Sequence, residues 1–223
     1  MKLSEYADRE MMALDVANRL GSELRAALAQ NDTVTFAVPG GSTPGPVFDA
    51  LSAVHLDWER VEVILTDERW VPEANALSNA ALVRRRLLTG PAAAARLRTY
   101  YSERQTIAEA ARTHAEALRD LLPVDVMVLG MGADMHTASL FPGARGLEQA
   151  LAHNAPACLP ILIDGQEIQR FTLTAPVLRA AGEVHVLITG QDKRDALERA
   201  ADMPDEDAPI RTVMDLATFH WSA

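Results

Sequence analysis

Cysteine is scarce in this sequence, and so is positive charge. Cys158 is the single cysteine among 223 residues, which excludes an internal disulfide and favours a reducing compartment, the cytoplasm. With 21 Lys and Arg against 31 Asp and Glu, the net charge is -10, which argues against a general nucleic-acid-binding protein because such a protein needs a basic face. A small anionic ligand is still compatible with this charge balance, because a few basic side chains in one cleft can hold it.

Long hydrophobic runs, linkers and repeats are also missing. No segment approaches the length of an apolar membrane span. Residues 1–20 are charged throughout, so we expect an amphipathic helix there and not a signal peptide. No Pro/Gly/Ser-rich stretch divides the chain, and the content of 48% hydrophobic and 23% charged residues is that of an ordinary globular protein. The sequence therefore predicts one domain over residues 1–223.

Short apolar runs alternate with amphipathic stretches along the chain, which indicates an α/β fold with a mostly parallel sheet and helices on both faces. Thr106, with Glu109 three residues on, forms the capping box that starts one of these helices. Strands are predicted at residues 34–38, 61–67, 98–101, 125–129, 184–190 and 217–221, with further strand character at 157–163 and from residue 170. Helices are predicted at residues 8–29, from 46, 78–88, 106–122, after the strand at 170, and 192–201.

The segment VLGMGADMHTASLFPG at residues 128–143 carries the strongest functional signal. An apolar run stops at Gly130 and Gly132, and Asp134 and His136 follow, so this strand end delivers a carboxylate and an imidazole to the edge of the sheet where α/β proteins bind ligands. A neutral imidazole can take a proton from water, and a nearby carboxylate can orient it. The alternatives are a structural histidine or a metal pair, but no third His or Cys lies nearby at ligand spacing, so we predict no metal.

The segment VPGGSTPG at residues 38–45 is typical of an anion site. Gly40, Gly41, Ser42 and Thr43 lie between a predicted strand and a predicted helix, where backbone N–H groups, hydroxyls and the helix dipole favour a phosphate. The alternative is a tight turn in which Ser42 or Thr43 only caps the helix. Because neither GKS nor GKT is present, a nucleotide P-loop is not expected.

Basic residues at three other places are candidate anion ligands. Asp67, Glu68 and Arg69 follow directly on a buried strand, and burying all three without a function would be costly, although a structural ion-pair cluster is the alternative. The planar guanidinium of Arg69 suits phosphate or carboxylate oxygens. Lys193 lies in the first turn of a predicted helix, where a cation opposes the dipole unless an anion is bound. For Lys193 and Arg170, the alternative is an ordinary solvent-exposed side chain without a ligand.

Together, VPGGSTP, LTDERWVP and LGMGADMHTASLFPG resemble the 6-phosphogluconolactonases, with supporting likeness at RFTLTAPVL and ITGQDK. The likeness covers residues 10–221. The resemblance implies a modified Rossmann-like fold, similar to that of the glucosamine-6-phosphate isomerase/deaminases. It also implies no cofactor and a role in the oxidative pentose phosphate pathway. In the resembled family the histidine that matches His136 is taken as the base.

On this basis we expect a sugar-phosphate lactone as substrate, namely 6-phospho-D-glucono-1,5-lactone. Its phosphate would lie on the glycine turn (residues 40–43) with help from Arg69, Arg170 and Lys193, and His136 would activate the attacking water.

The carboxylate that orients His136 is predicted to be Asp134 or Asp67, and the sequence does not choose between them. The oligomeric state is likewise not predicted from the sequence.

One position departs from the motif of the resembled family, and a second distinguishes this chain from the deaminases. The usual Asp-Gly-His of the resembled family is here Asp134-Met135-His136, so we expect the backbone at Met135 to avoid positive φ. The deaminases resemble HIAFNEP in this segment, and their glutamate corresponds to Phe141, which cannot transfer a proton. An amino-sugar phosphate isomerase or deaminase is therefore the less favoured alternative, beside a non-catalytic sugar-phosphate-binding protein.

Overall fold

Eight α-helices and ten strands alternate along the chain in a computed structural model that describes all residues 1–223. The strands are β1 (Lys2–Tyr6), β2 (Val34–Val38), β3 (Val61–Leu65), β4 (Asp67–Arg69), β5 (Arg96–Arg98), β6 (Val126–Gly130), β7 (Cys158–Ile161), β8 (Arg170–Leu173), β9 (Glu183–Thr189) and β10 (Thr218–Ser222). The helices are α1 (Arg9–Leu28), α2 (Gly45–Ser52), α3 (Asn79–Arg86), α4 (Ile107–Ala117), α5 (Leu147–Leu151), α6 (Ala175–Arg179), α7 (Gln191–Ala200) and α8 (Arg211–Met214).

Seven strands form a fully parallel sheet in the order β1-β10-β9-β6-β2-β3-β5. The chain adds β3 and β5 on one side of β2, and then places β6, β9 and β10 on the other side. The strand order therefore reverses between β2 and β6, and such a switch point opens a crevice at the carboxyl ends of the strands. The predicted α/β fold with a mostly parallel sheet is confirmed.

A second, antiparallel sheet of three short strands in the order β4-β8-β7 was not predicted. The predicted strand at 61–67 divides at Thr66: β3 ends at Leu65 in the large sheet, and Asp67 begins β4 in the small one. The chain changes sheets there because Thr66 N–H still bonds Val38 in the large sheet (3.0 Å) while its carbonyl accepts from Leu173 (2.9 Å).

The core follows from the apolar pattern of the predicted elements. Every residue of β2 and β3 is buried, as expected of strands covered on both faces. Helix α1 begins where Asp8 accepts a hydrogen bond from Met11 N (2.8 Å), and it turns Val16 and Leu20 fully inward. Burial of one such side chain contributes about 1.5–3 kcal/mol, so this face fixes the helix on the sheet.

The amphipathic helix predicted for residues 1–20 is wrong at its start, because Lys2–Tyr6 is strand β1 and the helix begins at Arg9. Pairing with β10 overrides the local pattern, and β1 thereby becomes the edge strand of the sheet. The capping box at Thr106 and Glu109 is confirmed, but α4 ends at Ala117, before the predicted residue 122. The two short helices α5 and α8 were missed.

No helix combines the length and apolarity that a membrane crossing needs.

A chain of hydrogen bonds ties β1 to β10, β9 and α1. Asp15 accepts from the Tyr6 hydroxyl (2.7 Å), which also contacts His220 Nδ1 (2.9 Å). His220 Nε2 lies 3.0 Å from His185 Nδ1, and His185 Nε2 lies 2.7 Å from Glu23. Burial, with the charge of the neighbouring His185, lowers the pKa of His220 to about 3. Burial and the bond to Asp15 raise the pKa of Tyr6 to about 12.

Candidate active site

A cavity of about 230 Å³ lies at the carboxyl ends of β2 and β6, at the switch point of the large sheet. It brings together every site residue predicted from the sequence except Asp134, which contacts the His136 imidazole at Nδ1. The predicted residues that line it are Gly40, Gly41, Ser42, Thr43, Asp67, Arg69, His136, Arg170 and Lys193.

The glycine turn connects β2 to α2 at one side of the cavity. Gly41 has φ 89°, a left-handed conformation that favours glycine. Gly40 has no space for a Cβ, because the Asn79 side chain lies against it. Helix α2 begins at Gly45, so the turn presents backbone N–H groups and hydroxyls at a helix N-terminus, as predicted for an anion site.

Three cations line the same cavity without a carboxylate partner. Antiparallel pairing of β4 with β8 sets Arg69 directly opposite Arg170, an arrangement of like charges that is unfavourable by itself. Neither arginine, nor Lys193 at the start of α7, has a carboxylate oxygen within ion-pair distance. Burial and the charge of Arg69 lower the pKa of Arg170, and its Nε is buried without a hydrogen-bond partner. An anion between these groups would relieve both penalties.

The acidic residues beside Arg69 have structural partners and not ion pairs. The Glu68 carboxylate accepts hydrogen bonds from the backbone N–H groups of Arg69 (2.8 Å), Asn79 (2.8 Å) and Ala80 (2.9 Å), and from the Ser78 hydroxyl (3.1 Å). It thus caps α3, although burial raises the pKa of Glu68 despite these bonds. The alternative of an ion-pair cluster within residues 67–69 does not match this geometry.

Asn79, which sequence reasoning missed, ties the start of α3 to strand β4 in the cavity wall. Its Oδ1 accepts a hydrogen bond from Arg69 Nη1, and its Nδ2 donates to the backbone oxygen of Asp67 (2.8 Å). The signal in the sequence was weak, since an asparagine after the Ser78 cap is an ordinary helix start.

His136 lines the cavity from the loop that follows β6, and its side chain is 28% exposed. Its Nδ1 lies 2.5 Å from Asp134 Oδ1, so Nδ1–H donates to the carboxylate and Nε2 is left free. Burial acts to raise the pKa of Asp134, but the hydrogen bond and charge of His136 outweigh it, and the pKa is lowered. Gly132 leaves room for this pair, because a Cβ there would collide with both side chains.

Asp67, the other carboxylate predicted as a partner of His136, bonds elsewhere. It is buried, and its Oδ2 accepts from the Ser139 hydroxyl at 2.6 Å. Of the two candidates, Asp134 is the one in contact with the imidazole. Ser139 carried no signal in the sequence beyond its place in the HTASLFP segment.

The expectation that Met135 avoids positive φ is wrong. Met135 has φ 65° and Ala138 has φ 47°, so two left-handed residues bracket His136. The conformation at Met135 is held by a local turn bond from Met135 N to Gly132 O (3.0 Å) and by a tertiary bond from Ile210 N to Met135 O (3.0 Å). These bonds offset the roughly 1–2 kcal/mol that an L-residue loses in this region.

Phe141 lies against the imidazole. The two ring centroids are 3.9 Å apart with an interplanar angle of 23°, and the Arg170 guanidinium carbon lies 5.0 Å from the phenyl centroid.

No group of three His, Cys, Asp or Glu side chains comes together in an arrangement that would hold a metal ion. The expected absence of a metal stays a prediction.

Comparisons with known proteins agree on one family. Residues 7–221 match the model of the glucosamine-6-phosphate isomerases/6-phosphogluconolactonase. A 6-phosphogluconolactonase of Pseudomonas aeruginosa is 44% identical over 223 residues, which cover 98% of this chain and 94% of that protein. One of Mesorhizobium japonicum is 42% identical over 214 residues, covering 95% and 90%. The crystal structure of a 6-phosphogluconolactonase from Shewanella baltica superposes with a TM-score of 0.95 at 30% identity, covering 100% and 98%.

Proposed function

The chain belongs to the glucosamine-6-phosphate isomerase/6-phosphogluconolactonase family, and we propose that it hydrolyses 6-phospho-D-glucono-1,5-lactone to 6-phospho-D-gluconate. It is an enzyme of the 6-phosphogluconolactonase type. The observation that carries the proposed reaction is that one cavity holds both an imidazole with a free nitrogen and three cations without carboxylate partners. An anion-binding protein needs the cations, but only a reaction that moves a proton needs the base.

The phosphate of the substrate binds the glycine turn, with Arg69, Arg170 and Lys193 around it. Backbone N–H groups and the α2 dipole act on the phosphate from one side, and the cations neutralise its charge from the other. This end fixes the sugar so that the lactone carbonyl carbon, C1, lies near His136 Nε2.

In the hydrolytic step, His136 Nε2 takes a proton from a water molecule while the water oxygen attacks C1. The carbonyl becomes a tetrahedral oxyanion, which backbone N–H groups of the glycine turns stabilise. The intermediate collapses as the bond from C1 to the ring oxygen breaks, and the imidazolium returns its proton to that oxygen. The products are the open-chain acid and a neutral base.

We assign the orientation of His136 to Asp134. A carboxylate on Nδ1 keeps Nε2 unprotonated and facing the substrate, and it stabilises the imidazolium that forms. The lowered pKa of Asp134 keeps this group ionised at neutral pH. In this proposal Asp67 acts on the cavity through its charge near Arg170 and not through the base.

The test is a pH-stat or coupled dehydrogenase assay on freshly made lactone, corrected for spontaneous hydrolysis. His136→Ala is expected to lower kcat by about 10²–10⁴-fold, the usual contribution of a general base. Asp134→Asn is expected to lower kcat as well, while Asp67→Asn changes it less. An unchanged rate in His136→Ala would remove the base from the mechanism.

An ammonia-release assay and a binding assay separate the alternatives. Ammonia release from glucosamine 6-phosphate would indicate the isomerase/deaminase reaction, and binding of phosphogluconate without hydrolysis would indicate a silent sugar-phosphate-binding protein. Within this proposal residues 1–223 act as one domain, without cofactor or metal, in the oxidative pentose phosphate pathway of the cytoplasm. These points stay predictions.

A further inference from the structure

The Phe141 ring occupies a position between the base and one of the cavity cations. From this position we infer that Phe141 is a positioning residue, which holds the His136 imidazole and the Arg170 guanidinium in their working orientations. The inference rests on the proposed lactone hydrolysis.

The His136 side chain has one hydrogen bond, and one bond does not fix the orientation of a ring. The contact of Nδ1 with Asp134 at 2.5 Å restrains one edge of the imidazole but permits the ring to rotate about that edge. Phe141 supplies the missing restraint, because its ring lies 3.9 Å from the imidazole centroid at an angle of 23° and covers one face. These two restraints, on one edge and one face, fix the orientation of the imidazole. Its Nε2 then faces the cavity that His136 lines.

The phenyl face also suits the charge that develops on the base. After proton abstraction the ring is an imidazolium, and a cation over an aromatic face is attracted by its quadrupole. The stack therefore stabilises the state that follows proton transfer more than the resting state, and such an interaction acts on kcat.

The same ring restrains Arg170. The guanidinium carbon lies 5.0 Å from the phenyl centroid, and otherwise the side chain has one hydrogen bond, from Nη2 to Gln166 Oε1 (3.2 Å). Because we place Arg170 at the phosphate, loss of the Phe141 ring is expected to weaken substrate binding as well as catalysis. One substitution should thus act on both KM and kcat, through two different neighbours.

Phe141 is not part of the hydrophobic core. It is only half-buried, whereas Phe36, Phe48, Phe171 and Phe219 are fully buried. Its backbone closes local turns instead, with Ala144 N donating to Phe141 O at 3.1 Å. A half-buried ring contributes less to stability than a core ring, so substitution of Phe141 tests positioning with a smaller effect on folding.

The experiment measures kcat and KM for Phe141→Leu, which keeps an apolar side chain without the ring, and for Phe141→Tyr, which keeps the ring. Phe141→Leu is expected to lower kcat about tenfold, the equivalent of one aromatic pair. It is expected to raise KM about two- to fivefold for the lost contact with Arg170. Phe141→Tyr should keep kcat and KM near their wild-type values. Phe219→Leu, a core change in β10, is the matched control and should change neither.

The decisive comparison uses the His136→Ala background. If Phe141 acts on catalysis through the imidazole, Phe141→Leu should leave the residual kcat of that background unchanged and still raise KM. An equal fold loss of kcat in both backgrounds would overturn the inference, and so would a wild-type kcat in Phe141→Leu.

Failure of the proposed function gives a different result, because the wild-type chain would then not accelerate lactone hydrolysis at all, and the inference falls with it. Should Phe141→Leu not fold by circular dichroism, Phe141→Met replaces it, with an unbranched side chain that adapts to the same space. The same outcomes then apply to the Met variant.

Discussion

Acid should destabilise this protein through His220, which is fully buried in β10. The groups that face it are His185 from β9, Tyr6 from β1, and Asp15 and Arg19 from α1. Burial comes first among the causes that lower its pKa to about 3, followed by the charges of His185 and Arg19, while Asp15 opposes them. The native state therefore keeps this imidazole neutral where an unfolded chain would protonate it.

The sign of the effect follows from the two pKa values. The unfolded histidine titrates near pH 6.5, above the folded value of about 3. In the interval between these values the unfolded state binds more protons, so stability is complete above pH 6.5 and is lost as the pH falls. At pH 5.5 the loss is about 1.4 kcal/mol relative to pH 7.5, and it grows by about 1.4 kcal/mol for each further pH unit until the folded pKa is approached.

Urea unfolding at pH 7.5, 6.5 and 5.5 measures this loss as the change in the free energy of unfolding. His220→Gln is the matched variant, because its amide retains a donor and an acceptor but does not titrate. The variant is expected to be less stable at pH 7.5, and its stability should fall by about 1.4 kcal/mol less than that of the wild type on going to pH 5.5. His114, whose pKa is also lowered by burial, contributes equally to both proteins and cancels.

Parallel curves for the two proteins would refute the reasoning, since they would mean that His220 binds the same number of protons in the folded and unfolded states. A difference of opposite sign would mean that the imidazole is already charged in the native protein.

Two further predictions concern the active site. Lys193→Ala should raise KM with little change in kcat, because a phosphate contact binds substrate and transition state equally; steady-state kinetics on the lactone checks this, and an unchanged KM would place the phosphate elsewhere. Met135→Gly should be more stable than Met135→Ala by about 1 kcal/mol, since both variants lose the same side chain but only alanine strains at φ 65°. Thermal unfolding of the pair measures it, and equal stabilities would contradict it.

The motifs that the sequence predicted as functional lie where strand ends meet. The apolar runs of β2 and β6 could be read directly, and a parallel sheet places the glycine turn and the loop with His136 at the same edge, where the structure has them. The residues after both strands also indicated loops there, because glycines and small polar residues follow each apolar run.

What the sequence did not predict depends on contacts between distant segments. Strand β4 consists of three charged residues and has no strand pattern; it exists because β8 pairs with it. The left-handed Met135 is likewise set by Ile210, far along the chain, against the local preference of methionine. Asn79 and Glu68 became informative only when α3 was seen to begin beside β4.

The small antiparallel sheet has a consequence for folding. Arg69 and Arg170 come from strands that are far apart in sequence, and they face each other only once β8 has docked on β4. Pairings between distant segments close large loops and tend to form slowly. The recovery of sugar-phosphate affinity during refolding should thus lag behind the recovery of the helical circular dichroism signal, so that sugar-phosphate binding reports when β8 docks on β4.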